Sequence, residues 1–175
     1  MLFRSVSRSD GRIKKVAVLA GAVGFPDTPA VGWRALGWVS SRAWAGRTVD
    51  FASIWKEFYK VLLFGPAGVT DPELSKRAED IITRRRNKIV TPTRALACSH
   101  MRDISMRGAV SPARVGRTPV LFVHGKEDIV SSAERIAAYA STFQSHSLMV
   151  LPGQGHQIFI TDERLFDRVG QFFSQ

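Results

Sequence analysis

Two residues in this sequence have the types and positions needed for proton transfer, the carboxylate Asp128 and the imidazole His156. Asp128 follows the apolar run PVLFV at 119–123 and the turn HGKED, and His156 follows the run LMVL at 148–151 and the loop PGQGH. A carboxylate that orients an imidazole, which in turn takes a proton from a nucleophile, forms the acid–base half of a nucleophilic triad. The pair therefore predicts catalysis if the fold brings the two side chains together.

The segments around these residues predict an arrangement that does so. The runs 119–123 and 148–151 have the composition of strands buried in a parallel sheet. Between them, 131–143 has apolar residues at helical spacing, with Ser131 or Ser132 as N-cap, so that strand, helix and strand form one right-handed parallel crossover. Ligands bind outside the carboxyl ends of strands in such sheets, and we expect both candidate side chains at that edge.

The order strand, HGxxD, helix, strand, PGxGH, helix resembles the C-terminal part of an α/β-hydrolase, whose triad follows the chain order Ser, Asp or Glu, His. The resemblance covers about 117–175. It includes a closing helix at 162–173, in which Leu165, Phe166, Val169, Phe172 and Phe173 are predicted to form one apolar face. It implies that Asp128 is the catalytic acid and His156 the base, and that the reaction is hydrolysis of an ester, amide or related bond in a small molecule through an acyl-enzyme. It implies no cofactor.

The nucleophile of that family is missing from the sequence. Neither a G-x-S-x-G elbow nor an HGGG-type oxyanion segment occurs in the 175 residues. Ser5, Ser7 and Ser9 have no preceding apolar strand and no glycine frame, and Cys98 is most simply a small buried hydrophobe in a predicted helix. We therefore expect a truncated or incomplete hydrolase that is inactive alone and needs a serine from a missing portion.

A different class of function is also compatible with the sequence. Without the family's earlier strands, the chain would expose a strand edge and apolar surface, which favours association. The alternative is therefore a non-catalytic remnant that binds a ligand or a partner protein through the cap and the exposed sheet edge. Self-association through that edge is expected in either case.

The predicted fold class is α/β, a partial α/β-hydrolase fold with about three parallel strands, flanking helices and a helical cap insertion. The parts are a basic N-terminal tail and first strand at 1–25, the helical cap and lead-in at 26–115, and the C-terminal core segment at 116–175. The run VAVLAGAVGF at 16–25 predicts the first strand. The same opening also fits a secretory signal or a mitochondrial presequence.

Helical blocks fill the middle of the chain. The segments 31–44, 51–64 and 71–90 have apolar residues at helical spacing and are separated by Gly, Pro and Asp. In the last block, Asp71 is a predicted N-cap and Pro72 occupies the first helical position. By resemblance these blocks form the cap, which usually roofs the active site and sets the substrate.

Composition limits the remaining possibilities. One cysteine excludes an internal disulfide framework, and no apolar run approaches a membrane span, so we predict a soluble, cytoplasmic protein. The net charge of +10 suggests nucleic acid, but the basic residues are scattered and no nucleic-acid-binding motif accompanies them. The cluster Arg84, Arg85, Arg86 and Lys88 is best explained as the solvated face of a helix, and an anionic partner or acidic substrate is its alternative.

The other candidate residues have structural explanations. His100, His124 and His146 lack metal-ligand spacing, and His124 is expected to support the turn after its strand rather than to catalyse. Asp103, in the lead-in to the acid strand, is expected to cap a helix or pair with a base. We predict no metal site.

Overall fold

A computed structural model describes residues 13–20, 51–85 and 115–175, together with the single positions 37, 41, 93, 95, 96, 99 and 112. The elements are β1 (Val16–Leu19), α1 (Phe51–Phe64), α2 (Ala67–Thr70), α3 (Pro72–Arg84), β2 (Val120–Gly125), α4 (Ala133–Ala140), β3 (His146–Leu151), α5 (Ile158–Thr161) and α6 (Leu165–Ser174). The three strands are parallel and lie in the order β1-β2-β3. This confirms the predicted α/β class, with the helices α1–α3 inserted between β1 and β2.

Strand β2 is the centre of the sheet and is buried along its whole length, as its apolar composition predicts. Because successive side chains point to opposite faces, Val120 and Phe122 pack against α4 and the aromatic pair Tyr139 and Phe143 on one face. Leu121 and Val123 pack on the other face against residues of α5 and α6. The two-sided core fixes β2, and with it the position from which the Asp128 turn leaves the sheet.

The closing helix differs from its predicted bounds and face. A short helix, α5, precedes α6, and α6 begins at Leu165 instead of position 162. Leu165 is fully buried, whereas Phe166 is 63% and Phe173 is 49% exposed. A helix turns about 100° per residue. Leu165, Val169 and Phe172 form the face of α6 that packs on the sheet. The two phenylalanines lie about 100° around the helix from that face and point toward solvent.

The inserted helices α1 and α3 are joined by a buried lysine. Lys60 is 4% exposed, and its Nζ donates to Glu79 Oε1 at 2.8 Å and Ser75 Oγ at 3.0 Å, with Glu57 Oε1 at 3.2 Å. Burial lowers the pKa of Lys60, but the hydrogen bonds to Glu79 and Glu57 and the negative charges of these two side chains together raise it above its ordinary value. Those same contacts with Lys60 lower the pKa of Glu79.

Helix α3 begins as the sequence predicts. Asp71 accepts hydrogen bonds from the backbone N–H groups of Glu73 and Leu74, and Pro72 occupies the first turn. Ala78 is buried, and Leu74 packs beside it. The predicted helical blocks 51–64 and 71–90 therefore contain the helices α1 and α3.

Several predictions lie outside the described residues. They concern the serines Ser5, Ser7 and Ser9, the residues Cys98, His100 and Asp103, the basic positions Arg86 and Lys88, most of the helical block 31–44, and the end of the first strand after residue 20. Within the described ranges, no helix has both the length and the apolar character needed to cross a bilayer.

Candidate active site

Asp128 and His156 meet at the carboxyl edge of the sheet. His156 Nδ1 lies 2.8 Å from Asp128 Oδ2, although 28 residues separate the two along the chain. The Asp128 side chain is fully buried, and the His156 side chain is 21% exposed. A carboxylate only accepts hydrogen bonds, so Nδ1 carries the proton of this bond and Nε2 is left as the ring nitrogen that can take one.

The turn after β2 holds the carboxylate through backbone donors. Asp128 Oδ1 accepts hydrogen bonds from the N–H of Val130 at 2.7 Å and of Ser131 at 3.3 Å. A carboxylate without such partners would be very costly to bury. The turn thus leaves Oδ2 directed at His156, which is the orientation that a triad acid needs.

The acid turn and the histidine loop are hydrogen-bonded to each other along their backbones. Lys126 N–H donates to the carbonyl oxygen of Leu151 at 2.9 Å, and Glu127 N–H donates to that of Gln154 at 2.9 Å. The first bond extends the register of β2 with β3 by one step, and the second carries the pairing into the loop. The two turns therefore form one unit, and the separation of Asp128 from His156 is set by backbone contacts as well as by their own hydrogen bond.

Helix α1 supports the histidine loop from the other side. The N–H groups of Gly155 and Gln157 donate to the carbonyl oxygens of Leu63 and Leu62, each at 2.9 Å. Carbonyls in the last turn of a helix have no partner within the helix, so they are available for such bonds. His156 lies between the two donors, and its backbone is held at both sides by the inserted helix.

Solved structures of α/β-hydrolases share this fold with almost the whole chain. An α/β hydrolase enzyme from a Medee basin deep-sea metagenome library matches with a TM-score of 0.68 and 16% identity, over 99% of this chain and 61% of that one. An α/β hydrolase fold protein from Chitinophaga pinensis matches with a TM-score of 0.65 and 13% identity, over 99% and 60%. A malate-bound thermophilic esterase from Thermogutta terrifontis gives 0.63 and 18%, over 99% and 60%. The chain carries part of an α/β-hydrolase fold.

The chain thus spans about 60% of the length of these solved hydrolase chains. The expected fold is confirmed, including its partial extent. No protein-family model and no curated protein sequence matches the chain.

Glycines allow the three backbones of this hydrolase-fold site to approach closely. A Cβ at Gly155 would lie 2.5 Å from the carbonyl oxygen of Leu62. A Cβ at Gly125 would collide with the carbonyl oxygen of Gly155. At the end of α1, Gly65 has a φ of +66° and packs against Glu127. No side chain fits between the helix end, the strand end and the histidine loop, which explains Gly125 of HGxxD and Gly155 of PGxGH. Gly153, the first glycine of PGxGH, instead has a positive φ of +69°.

A second imidazole contacts the candidate acid. His124 is 1% exposed, and its Nε2 lies 2.6 Å from the carbonyl oxygen of Ser131 and 3.3 Å from Asp128 Oδ2. The bond to Ser131 agrees with the expectation that His124 supports the turn. Sequence reasoning missed the contact with Asp128, although the i,i+4 spacing in HGKED was a signal that could have suggested it.

Nothing in the described part of the chain resembles a metal centre, because no group of three or more His, Cys, Asp or Glu side chains is gathered there. His146 lies at the start of β3, and its Nδ1 contacts the carbonyl oxygen of Phe143 at 2.9 Å. Three histidines are described, and two of them, His124 and His156, share the Asp128 carboxylate.

Proposed function

We propose that this chain supplies the acid and the base of a serine-hydrolase-type site that cleaves an ester, amide or related bond. The observation that carries the proposal is the 2.8 Å bond between His156 Nδ1 and the fully buried carboxylate of Asp128. This geometry favours the tautomer with the proton on Nδ1, in which Nε2 is free to accept a proton from the nucleophile. The tautomer with the proton on Nε2 is unproductive in such sites. The fold shared with solved hydrolases supports the same reaction class.

In the proposed reaction a serine hydroxyl attacks the substrate carbonyl carbon while His156 Nε2 takes the hydroxyl proton. The imidazolium then gives that proton to the leaving group as the carbonyl–leaving-group bond breaks, and an acyl-serine remains. Water, deprotonated by His156, then attacks the acyl carbon. The bond from that carbon to the serine oxygen breaks, the imidazolium returns the proton to the serine oxygen, and the carboxylic acid leaves. Asp128 stays ionised throughout and stabilises the imidazolium.

The nucleophile in this proposal comes from a segment outside the 175 residues. The sequence contains no G-x-S-x-G elbow, and the solved hydrolases that share the fold are longer than this chain. Oxyanion donors, each contributing about 10²–10³ in rate, come from that segment too. We therefore propose that the chain alone has negligible triad activity.

The substrate proposal is a small-molecule ester or amide. One of the solved structures that share the fold is an esterase, which supports this class. Helices α1 and α3 act as part of a cap in this proposal, since both are inserted between β1 and β2 and α1 is hydrogen-bonded to the histidine loop. Cytoplasmic location stays a prediction.

The test begins with the genomic DNA upstream of the Met1 codon, read in three forward frames for a strand, a G-x-S-x-G elbow and a helix. The longer chain is then expressed and assayed for hydrolysis of p-nitrophenyl acetate, butyrate and octanoate. We expect His156→Ala to lower kcat by 10³-fold or more, on the order of the losses known for triad bases. His146→Ala is the matched control and should retain turnover within about twofold, because His146 lies outside the pair. Absence of an elbow, or turnover that survives His156→Ala, would refute the proposal.

A partner-binding remnant is the second candidate, and two observations favour it. Among the described residues, β1 is hydrogen-bonded to β2 on one edge only. Phe159, Phe166 and Phe173 are 46%, 63% and 49% exposed. This candidate takes the lead if the upstream DNA encodes no elbow, and it predicts association of the purified chain without any turnover.

A further inference from the structure

His124 occupies a position at which an apolar residue would be expected. It follows the four buried apolar residues of β2 and is itself 1% exposed. Among the residues that the structure describes, neither its Nδ1 nor the buried Oγ of Ser131 has a hydrogen-bond partner. An unpartnered buried polar atom destabilises a protein by about 1–3 kcal/mol. Leucine or isoleucine would avoid that cost, so the imidazole must contribute something that a hydrocarbon cannot.

The contribution comes from Nε2. Since a carbonyl oxygen only accepts, the 2.6 Å contact with Ser131 O requires a proton on Nε2. The N–H of Ser131 in turn donates to Asp128 Oδ1 at 3.3 Å. His124 therefore closes the loop at 125–131 into a ring in which both backbone groups of Ser131 are held, one by the imidazole and one by the carboxylate.

The same Nε2–H lies 3.3 Å from Asp128 Oδ2, the oxygen that His156 contacts at 2.8 Å. Two imidazoles of opposite tautomer thus share one carboxylate oxygen: His124 with its proton on Nε2 and His156 with its proton on Nδ1. Removal of His124 would free the Ser131 carbonyl, loosen the loop and leave Asp128 held by fewer contacts.

We propose that His124 is a positioning residue for the Asp128–His156 pair. Its imidazole closes the acid loop and aims the carboxylate at His156 Nδ1, which keeps His156 in the tautomer required for proton transfer. This inference rests on the proposed function for its catalytic meaning, but the geometry that it describes is testable without turnover.

The experiment is ¹⁵N NMR of the full chain labelled at histidine, which contains four imidazoles. Ring nitrogen shifts distinguish the Nδ1–H and Nε2–H tautomers of each. In the wild type we expect Nε2–H for His124 and Nδ1–H for His156. In His124→Leu, the ratio of Nδ1–H to Nε2–H at His156 should fall at least about fivefold, the effect of losing one hydrogen bond.

Two variants separate positioning from mere packing. His124→Gln keeps an N–H donor near the position of Nε2, and we expect it to restore the wild-type ratio at His156 within about twofold. Ser131→Ala removes the unpartnered hydroxyl beside His124 but keeps the carbonyl, and it should leave His156 unchanged. His146 serves as the internal reference for an intact fold, since it contacts Phe143 and not Asp128.

The inference is overturned if His124→Leu retains the His146 signals and leaves the His156 tautomer unchanged. It is equally overturned if wild-type His124 carries its proton on Nδ1, a result that needs no variant to fold. Failure of the proposed function would give a different result. The joined hydrolase, which is the longer chain expressed with its upstream elbow, would then have the same kcat with and without His156. In an active joined hydrolase, His124→Leu should lower kcat and leave KM within about twofold, with recovery in His124→Gln.

Discussion

At the scale of single residues, the site is arranged around one buried carboxylate. Asp128 accepts two backbone N–H groups at Oδ1 and faces two imidazoles at Oδ2. Both carboxylate oxygens accept hydrogen bonds, Oδ1 from the backbone and Oδ2 from His156, which is why an ionised group is tolerated there. The same donors make the position intolerant of change.

Asp128→Asn is expected to destabilise the fold by about 1–3 kcal/mol, because an amide directs N–H groups at donors and leaves buried groups unpaired. It should also release His156 from the Nδ1–H tautomer. Urea denaturation and histidine ¹⁵N NMR measure the two effects. Asp80→Asn, on the exposed face of α3, is the matched control and should change stability by less than about 0.5 kcal/mol. Equal stability of the two variants would show that the Asp128 network contributes little.

At the scale of elements, α1 supports the histidine loop. Its last carbonyls bind the N–H groups on both sides of His156, and Lys60 ties it to α3. Through these contacts α1 holds the backbone on both sides of the candidate base. Changes in the insertion are therefore expected to affect the geometry of His156 without touching its side chain.

Gly155→Ala tests this support. Its Cβ would lie 2.5 Å from Leu62 O and 2.9 Å from Leu63 C, so the histidine loop must move away from α1. We expect a loss of about 1–3 kcal/mol in the free energy of unfolding, as for other overpacked sites. Gly170→Ala, where nothing lies within 4 Å in α6, should instead raise stability by up to about 1 kcal/mol. A neutral Gly155→Ala would contradict the tight contact.

Lys60→Met tests the tie between α1 and α3 through its pH dependence. The raised pKa of Lys60 means that its contribution is lost as pH rises through that pKa, and the lowered pKa of Glu79 means that its contribution is lost as pH falls. The difference in the free energy of unfolding between wild type and Lys60→Met should be largest between about pH 5 and 10 and should become smaller outside that window. Because Glu79 is half exposed, the maximum is about 1 kcal/mol.

Urea denaturation across pH provides the comparison, with Lys56→Met as the control. Lys56 is half exposed and lies 3.6 Å from Glu79, so its removal should change stability by at most about half as much. A pH-independent difference for Lys60→Met would exclude the ion pairs as its cause.

Much of this arrangement was predictable from the sequence because it leaves local patterns. The apolar runs gave β2 and β3, the Asp71–Pro72 signal gave the start of α3, and HGxxD with PGxGH gave Asp128 and His156. The support of the histidine loop by Leu62 and Leu63 was not predictable, because backbone bonds between distant segments impose no residue type. The exposed side of α6 was missed because phenylalanine suggested burial that the helix geometry does not provide.

At the scale of the whole molecule, the described part of the chain has an unpaired strand edge and exposed apolar side chains. Strand β1 pairs on one edge only within the described ranges, and large apolar side chains are exposed on α5 and α6. An unpaired strand edge next to apolar surface favours contact with another chain. This applies equally to a hydrolase that joins its nucleophile segment and to a binding remnant.

The purified chain is therefore expected to self-associate as its concentration rises, and the double variant Phe166→Asp/Phe173→Asp should reduce that association. The two side chains are 63% and 49% exposed, so the fold should tolerate the change. Size-exclusion chromatography with light scattering measures the molar mass. A wild type that stays monomeric at all concentrations would count against both the incomplete-hydrolase and the partner-binding accounts.

The most direct test of the central claim is covalent labelling of the joined chain with a fluorophosphonate probe, followed by mass spectrometry to locate the modified residue. We predict that the label is attached to the serine of an upstream G-x-S-x-G elbow, and that the labelling rate falls by about 10³-fold or more in His156→Ala. Label on a serine within these 175 residues, or labelling that is unchanged in His156→Ala, would contradict the assignment of Asp128 and His156 as the acid and base of a hydrolase whose nucleophile lies elsewhere.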